Sequence, residues 1–173
     1  GEGSEVDRTV LDRIIAPLEH MLRNAVAHGI EAPDARRVLS KSEKGRILID
    51  VNRQGTDVVI KVKDDGAGID ANKIRQKAID QGLLTKDSKL SDRDVLQFIL
   101  HSGLSTAEEI TQVSGRGVGM DVVDSEIKQL GGVLDIDTVQ GKGSEFTVRL
   151  PLTLAINQAL LVSAAEDVYA VPI

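Results

Sequence analysis

The chain has 173 residues, 41% of them hydrophobic and 28% charged, enough for one domain with a sizeable core and room for a piece of a second. A net charge of −6 and an aromatic content of 2% disfavour nucleic-acid binding, which needs phosphate neutralisation and stacking platforms. No cysteine is present for disulfides or thiolate metal sites, and no apolar run approaches the ~20 residues of a membrane span. With no signal segment at the start, a soluble cytoplasmic protein without membrane insertion is expected.

Residues 1–8, "GEGSEVDR", read as a polar leader. Val10, Leu11, Ile14 and Ile15 give a helical turn or two, and Pro17 predicts a kink or a fresh helix start near Ala16. The helix then runs to Gly29, with Leu18, Met21, Leu22, Ala25 and Val26 as its core face. Beside that face His20, Asn24 and His28 stand four residues apart in a slowly drifting stripe. The stripe is either a solvated polar edge or a line of metal- or phosphate-competent side chains. Residues 31–45 read as a charged, irregular connection with at most a short helical turn.

Next, "GRILIDVNR" alternates Ile47, Ile49 and Val51 with polar residues, and "DVVIKVKDD" alternates Val58, Ile60 and Val62. These are two half-buried strands joined as a hairpin across "QGTD". The spacing predicts a helix over 70–82, capped by Asp70 and closed by Gly82, and another over 91–100 behind Ser91, with Val95, Leu96 and Ile99 inward. Residues 101–119 form a long polar loop punctuated by glycine, followed by a helix over 120–130. Strands at 132–139 and 144–150 flank "GKG", and "QALLVSAAEDVYAVPI" reads as two short strands around a turn. The fold class expected is α/β, a two-layer sandwich with one mixed sheet covered on one face by helices.

Two glycine clusters could carry chemistry. In "DDGAGID" (64–70), Gly66 and Gly68 let the backbone turn sharply after a strand and let a ligand ring approach closely. Asp64 beneath that turn can accept a hydrogen bond from an exocyclic amine such as adenine's, although an ordinary strand-to-helix turn has the same look. In "SGRGVGMD" (114–121), Gly115, Gly117 and Gly119 would expose amides near a helix start, where phosphate oxygens bind. The spacing G-x-G-x-G after a loop is not the dinucleotide fingerprint, and "GKGS" lacks the upstream glycine of a P-loop.

Taken together, a helix bearing Asn24, a D-x-G-x-G strand end, a G-x-G-x-G loop and a late G-x-G hairpin occur in an order that resembles the Bergerat ATP-binding fold of gyrase, MutL and the sensor histidine kinases. The likeness is closer still. "PLEHMLRNAVAHGIE", "DDGAGID", "GLSTAEEITQVSGRGVGMDVV" and "GSEFTVRLPLTLAI" resemble the kinase domain of CheA-type chemotaxis histidine kinases over about residues 5–173.

That resemblance implies an ATP–Mg²⁺-binding domain over 9–152 whose loop 101–119 is an ATP lid. Residues 1–8 would end a dimerisation segment, and 153–173 would begin a CheW-like regulatory domain. With the dimerising helices outside this sequence, a monomer is expected. It implies that Asn24 offers its side-chain carbonyl to Mg²⁺, that Asp64 reads adenine, and that His20 is catalytic with Asn24. Gyrase-type enzymes carry a water-activating Glu at the position of His20. An imidazole there is consistent with transfer to a protein histidine, itself a competent nucleophile. Nucleotide contacts are implied for His28, Gly66, Gly68, Ile69, Lys73, Ile74 and Lys77, and for Ser105, Gly115, Arg116, Gly117, Val118, Gly119 and Met120. Lys73 and Lys77, at i and i+4, would act from one helix face.

The partners implied are a separate phosphotransfer domain, a downstream response regulator and, through adjacent domains, a CheW-like adaptor and chemoreceptor. None of His20, His28 and His101 looks like an exposed acceptor, so transfer in trans is expected, with little autophosphorylation. The chain departs from the family pattern at Ala27, where Asp is common, and at Ser102 and Leu104, where Pro and Phe are usual. Losing a carboxylate beside the phosphates at Ala27 and an aromatic lid anchor at Leu104 is expected to alter lid closure or nucleotide affinity, giving a functional but slower kinase. Two rival readings are a gyrase- or MutL-like hydrolase and a non-catalytic scaffold.

Overall fold

A computed structural model describes residues 8–101, 104, 119–152, 159–164 and 167–172. Helix α1 spans Arg8–Asn24 and continues as a π-helical turn over Ala25–Gly29. It runs unbroken through Pro17, whose ring is buried, so the helix does not restart there. The π turn has a larger effect. Its i→i+5 closure admits one residue more per turn, so the following side chains rotate away from the face an α-helix would give them. Met21 and Ala25 are buried as expected and Leu18 and Leu22 partly so, but Val26 is 64% exposed.

A short helix α2 (Pro33–Val38) has Pro33 in its first turn, where the missing N–H costs nothing. Strands β1 (Ile47–Gln54) and β2 (Asp57–Asp64) form the expected hairpin, turning at Gly55 with φ +63°. Helix α3 (Ala71–Asp80) is capped by Asp70, whose carboxylate accepts from the amides of Asn72 and Lys73. Helix α4 (Asp92–Leu96) opens with a reciprocal Ser91–Asp94 capping box and tightens into a 3₁₀ turn over Gln97–Leu100. Helix α5 (Met120–Gln129) leads to β3 (Val133–Val139) and β4 (Gly143–Pro151). Strands β5 (Ala159–Ala164) and β6 (Asp167–Pro172) pair with each other as a separate two-stranded sheet.

The main sheet has the order β1-β2-β4-β3, and every described pairing in it is antiparallel. The mixed sheet expected from the sequence is therefore corrected. Each strand pair here is joined by a tight hairpin or lies across the sheet in opposite sense, and no parallel crossover is made.

Register puts Ile49, Val62, Phe146 and Ile136 on one rung of the helix-facing side, and Val51, Ile60, Val148 and Leu134 on the next. Met21, Val123 and Ile127 are buried in the same core cluster. Each fully buried side chain of this size contributes about 1.5–3 kcal/mol. The cover stops short of the edge strand, where Ile49 and Val51 stay nearly half exposed. A second cluster, Ile74, Ala78, Val95 and Leu104, ties α3 to α4.

Candidate functional site

One step beyond these rungs Ile47 pairs with Asp64 and Thr138 with Ser144, and the Ser144 amide reaches the Asp64 carboxylate. Asp64 is 4% exposed at the end of β2. Its Oδ1 accepts from the amide of Gly66 at 2.8 Å and from the amide of Ser144 at 3.3 Å. A carboxylate anchored through one oxygen in this way can present the other to a ligand amine.

The glycines around Asp64 explain why they are glycines. A side chain at Gly66 would collide with the Gly29 carbonyl, and one at Gly143 with the Asp64 carbonyl. Gly143 also has φ +109°, and Gly68 has φ +74° with the Val139 carbonyl 2.7 Å from where a Cβ would sit. Gly29 packs against the Asp64 carboxylate itself, so the end of the helical segment that carries the polar stripe abuts the adenine-reading candidate. The Ala67 amide donates to the Gly29 carbonyl (2.8 Å), and the Gly141 amide donates to Ala67 (2.7 Å). Thr138 completes the frame: its hydroxyl accepts from the Ile69 amide (2.9 Å) and donates to the Gly143 carbonyl (3.0 Å).

Asn24 ends α1, half-buried, and its Nδ2 donates to the Met120 sulfur at 3.2 Å. That contact joins two residues 96 apart in sequence and leaves the amide oxygen as the atom for a cation. Among the described residues no three His, Asp or Glu side chains gather as a metal site. A single amide oxygen such as that of Asn24 is the kind of donor Mg²⁺ accepts, since that ion takes few protein oxygens and draws the rest from phosphate and water.

His20 lines a groove of about 200 Å³ between α1 and α5, with Glu19, Arg23, Val122 and Glu126. Burial and then the neighbouring Arg23 hold its pKa below the ordinary 6.5, against the opposing pull of Glu126 and Asp121. His28 is exposed on the π turn. Lys73 is exposed and Lys77 half-buried one turn apart on α3.

Ile69 is partly buried between the two core clusters, while Ile74 is 1% exposed, a packing position in the second. Gly119 caps α5, and Met120 is 9% exposed in the main core. Ser105, Gly115, Arg116, Gly117 and Val118 lie outside the described residues, as does Ser102. Leu104 is fully buried, packed with Ile74 and Val95. Leu104 thus anchors this position in the second core cluster. A larger cavity of about 690 Å³ lies between the 3₁₀ turn and α5, lined by His101, Asp121, Asp124 and Lys128 among others. It contains neither Asn24 nor Asp64, so the site is set by the converging motifs and not by cavity size.

Sequence reasoning missed Gly29, Thr138, Gly143 and Ser144. For Gly143 and Ser144 the available signal is the G-x-G-S hairpin at 141–144, read as a partner for Asp64 and not as a phosphate loop; no local signal marks Gly29 or Thr138.

The family profile for histidine kinase-, DNA gyrase B- and HSP90-like ATPases matches residues 14–154. The chain is similar to the chemotaxis protein CheA of Rhizobium meliloti, 47% identical over 173 residues, covering 100% of this chain and 23% of that protein. It is also similar to CheA of Bacillus subtilis (42%; 100% and 26% covered) and to the sensor histidine kinase CheAY of Helicobacter pylori (43%; 100% and 22%). The chain spans about a quarter of the length of these relatives. A blue-light activated histidine kinase of Erythrobacter litoralis has the same fold at TM-score 0.50 and 17% identity, over 85% of this chain and 32% of that one. Since the profile runs from within α1 past the end of β4, the chain belongs to the family of histidine kinase-, DNA gyrase B- and HSP90-like ATPases.

Proposed function

We propose that the chain is the ATP–Mg²⁺-binding catalytic domain of a CheA-type kinase and passes the γ-phosphoryl group to a histidine on a separate phosphotransfer domain. The observation that carries this reading is Asp64, buried at a strand end, fixed through one oxygen and surrounded by glycines that let the backbone close tightly around it. Asp64 binds the adenine amine, and Asn24 holds Mg²⁺ through its amide oxygen at the phosphate end, near His28 and the α3 lysines. Mg²⁺, when bound, offsets the charge of the phosphates and polarises the transferring group.

In the transfer, a bond forms from the acceptor imidazole nitrogen to the γ-phosphorus as the bond from phosphorus to the bridging oxygen breaks, and ADP leaves. The acceptor supplies its own electron pair, so no base is needed to create the nucleophile. His20, held neutral at pH 7 by burial and Arg23, is available for the proton on the far nitrogen of the acceptor ring. The domain assignment is part of the same reading. The family profile ends at residue 154 and β5 pairs with β6, which supports a regulatory domain beginning near 153; a dimerisation segment ending near residue 8 belongs to the same proposal. Through such domains the chain would work with a CheW-like adaptor, a chemoreceptor and a downstream response regulator in the cytoplasm. Among the described residues, no helix is long and apolar enough to cross a membrane.

Calorimetry with a non-hydrolysable ATP analogue and Mg²⁺ tests binding; absence of heat favours a scaffold. Label from γ-labelled ATP should then appear on an added phosphotransfer domain. Label on this chain alone contradicts transfer in trans, and rapid phosphate release without acceptor favours a hydrolase over a kinase.

A further inference from the structure

Arg36 is a charged side chain only 1% exposed, placed by α2 beneath the "DDGAG" turn. Its Nη1 donates to Glu31 Oε2 (2.9 Å) and to the Asp65 carbonyl (3.2 Å), Nη2 to Asp65 Oδ2 (2.9 Å), and Nε to the Ser42 carbonyl (2.6 Å). The Lys41 ammonium donates to Glu31 Oε1 (2.6 Å), the Asp65 carbonyl (3.0 Å) and the Gly66 carbonyl (2.7 Å). The Arg46 amide fixes the remaining Asp65 oxygen at 2.8 Å. Replacing such a buried ionic cluster by apolar side chains is often neutral or stabilising, so its worth is better sought in geometry than in fold stability.

The geometry lies in a single peptide unit. The carbonyl of the Asp65–Gly66 peptide accepts from both cations, while the N–H of that same peptide donates to Asp64 Oδ1. Two positive groups thus hold one pole of a planar unit whose other pole orients the carboxylate. Glu31, two residues beyond Gly29, ties both cations to the end of the segment that carries His20, Asn24 and His28.

The geometry points to Arg36 and Lys41 as positioning residues for nucleotide recognition: through the Asp65–Gly66 peptide they set the direction in which Asp64 offers its second oxygen to the base. This rests on the nucleotide-binding reading of Asp64. Neither cation touches the ligand. Both set its affinity.

The test uses the whole chain, with ADP as the probe. Lys41→Met keeps the aliphatic stem and removes the donor. It should weaken ADP binding about tenfold, as expected for losing the charge-assisted hydrogen bond on the Asp65 carbonyl, and move the Gly66 amide proton resonance upfield. Lys41→Arg should restore affinity to within about threefold and return the Gly66 resonance, because a guanidinium can reach the same carbonyls. A merely structural role would lower the melting temperature and leave the Gly66 resonance of the folded protein in place. ADP binding within twofold of the parent in Lys41→Met, or an unmoved Gly66 resonance, overturns the positioning role alone. No ADP binding by the parent chain overturns the nucleotide reading, and the positioning role with it.

Discussion

The turn after β2 is held from three directions, by the Arg36 and Lys41 cations, by the Gly29 carbonyl and by the β3–β4 hairpin. The stripe on the opposite wall is held differently. His20 faces an open groove, His28 is exposed, and the side-chain bond given to Asn24 runs to a sulfur. The contrast teaches where specificity is built in advance. In the proposed reading the Asp64 turn is the base end, over-determined so that its geometry exists before ligand arrives. The proposed phosphate end rests on a π turn, a backbone form that recurs at functional sites, and its polar groups would be completed by metal and phosphate.

The comparison can be broken most sharply at Gly143. Gly143→Ala forces a side chain into the Asp64 carbonyl at a left-handed backbone position, and should cost roughly 3 kcal/mol or more in urea unfolding. Leu104→Phe adds volume to a fully buried position in the second cluster. It should destabilise by about 1–3 kcal/mol without tightening nucleotide binding, the reverse of what a missing aromatic anchor would give.

His20 supplies a smaller, pH-dependent effect. Its folded pKa lies below 6.5, so the native state binds fewer protons than the unfolded chain in that range, and stability is lost as pH falls from 7 toward 5. His20→Gln should flatten that slope in urea midpoints measured across the interval. Glu31 and Asp65 behave as a separate group. Burial works against their charged forms, but for Glu31 the Lys41 bond, and for Asp65 the Arg46 amide and Arg36, outweigh it and lower both pKa values. Their contribution is present at neutral pH and is lost only as pH falls past the ordinary 4.5 and 3.8. Least of all, Ala27→Asp on the exposed π turn should change stability by no more than about 0.5 kcal/mol.

Local signals in the sequence carried the helix caps at Asp70 and Ser91 and the β1–β2 hairpin, because each depends on residues within four positions. Motif order carried the fold and the nomination of Asn24 and Asp64. Long-range features were not legible. Nothing in "AVAHG" marks a π turn, which depends on how the segment packs against the Asp64 loop, and so Val26 was placed on the wrong face. Residues 31–45 read only as a charged, irregular connection, since composition cannot distinguish exposed charges from ones buried in pairs. Arg36 and Asp65 are 29 positions apart and meet only in the folded chain.

The most direct measurement is calorimetric titration of ADP with and without Mg²⁺ into the parent chain, Asp64→Asn and Asn24→Ala. Asp64→Asn should lose about a hundredfold in affinity whether or not metal is present, and Asn24→Ala should lose only the increment that Mg²⁺ adds. Parent-like ADP binding by Asp64→Asn, or a metal increment preserved in Asn24→Ala, would contradict the account of two side chains holding opposite ends of one nucleotide.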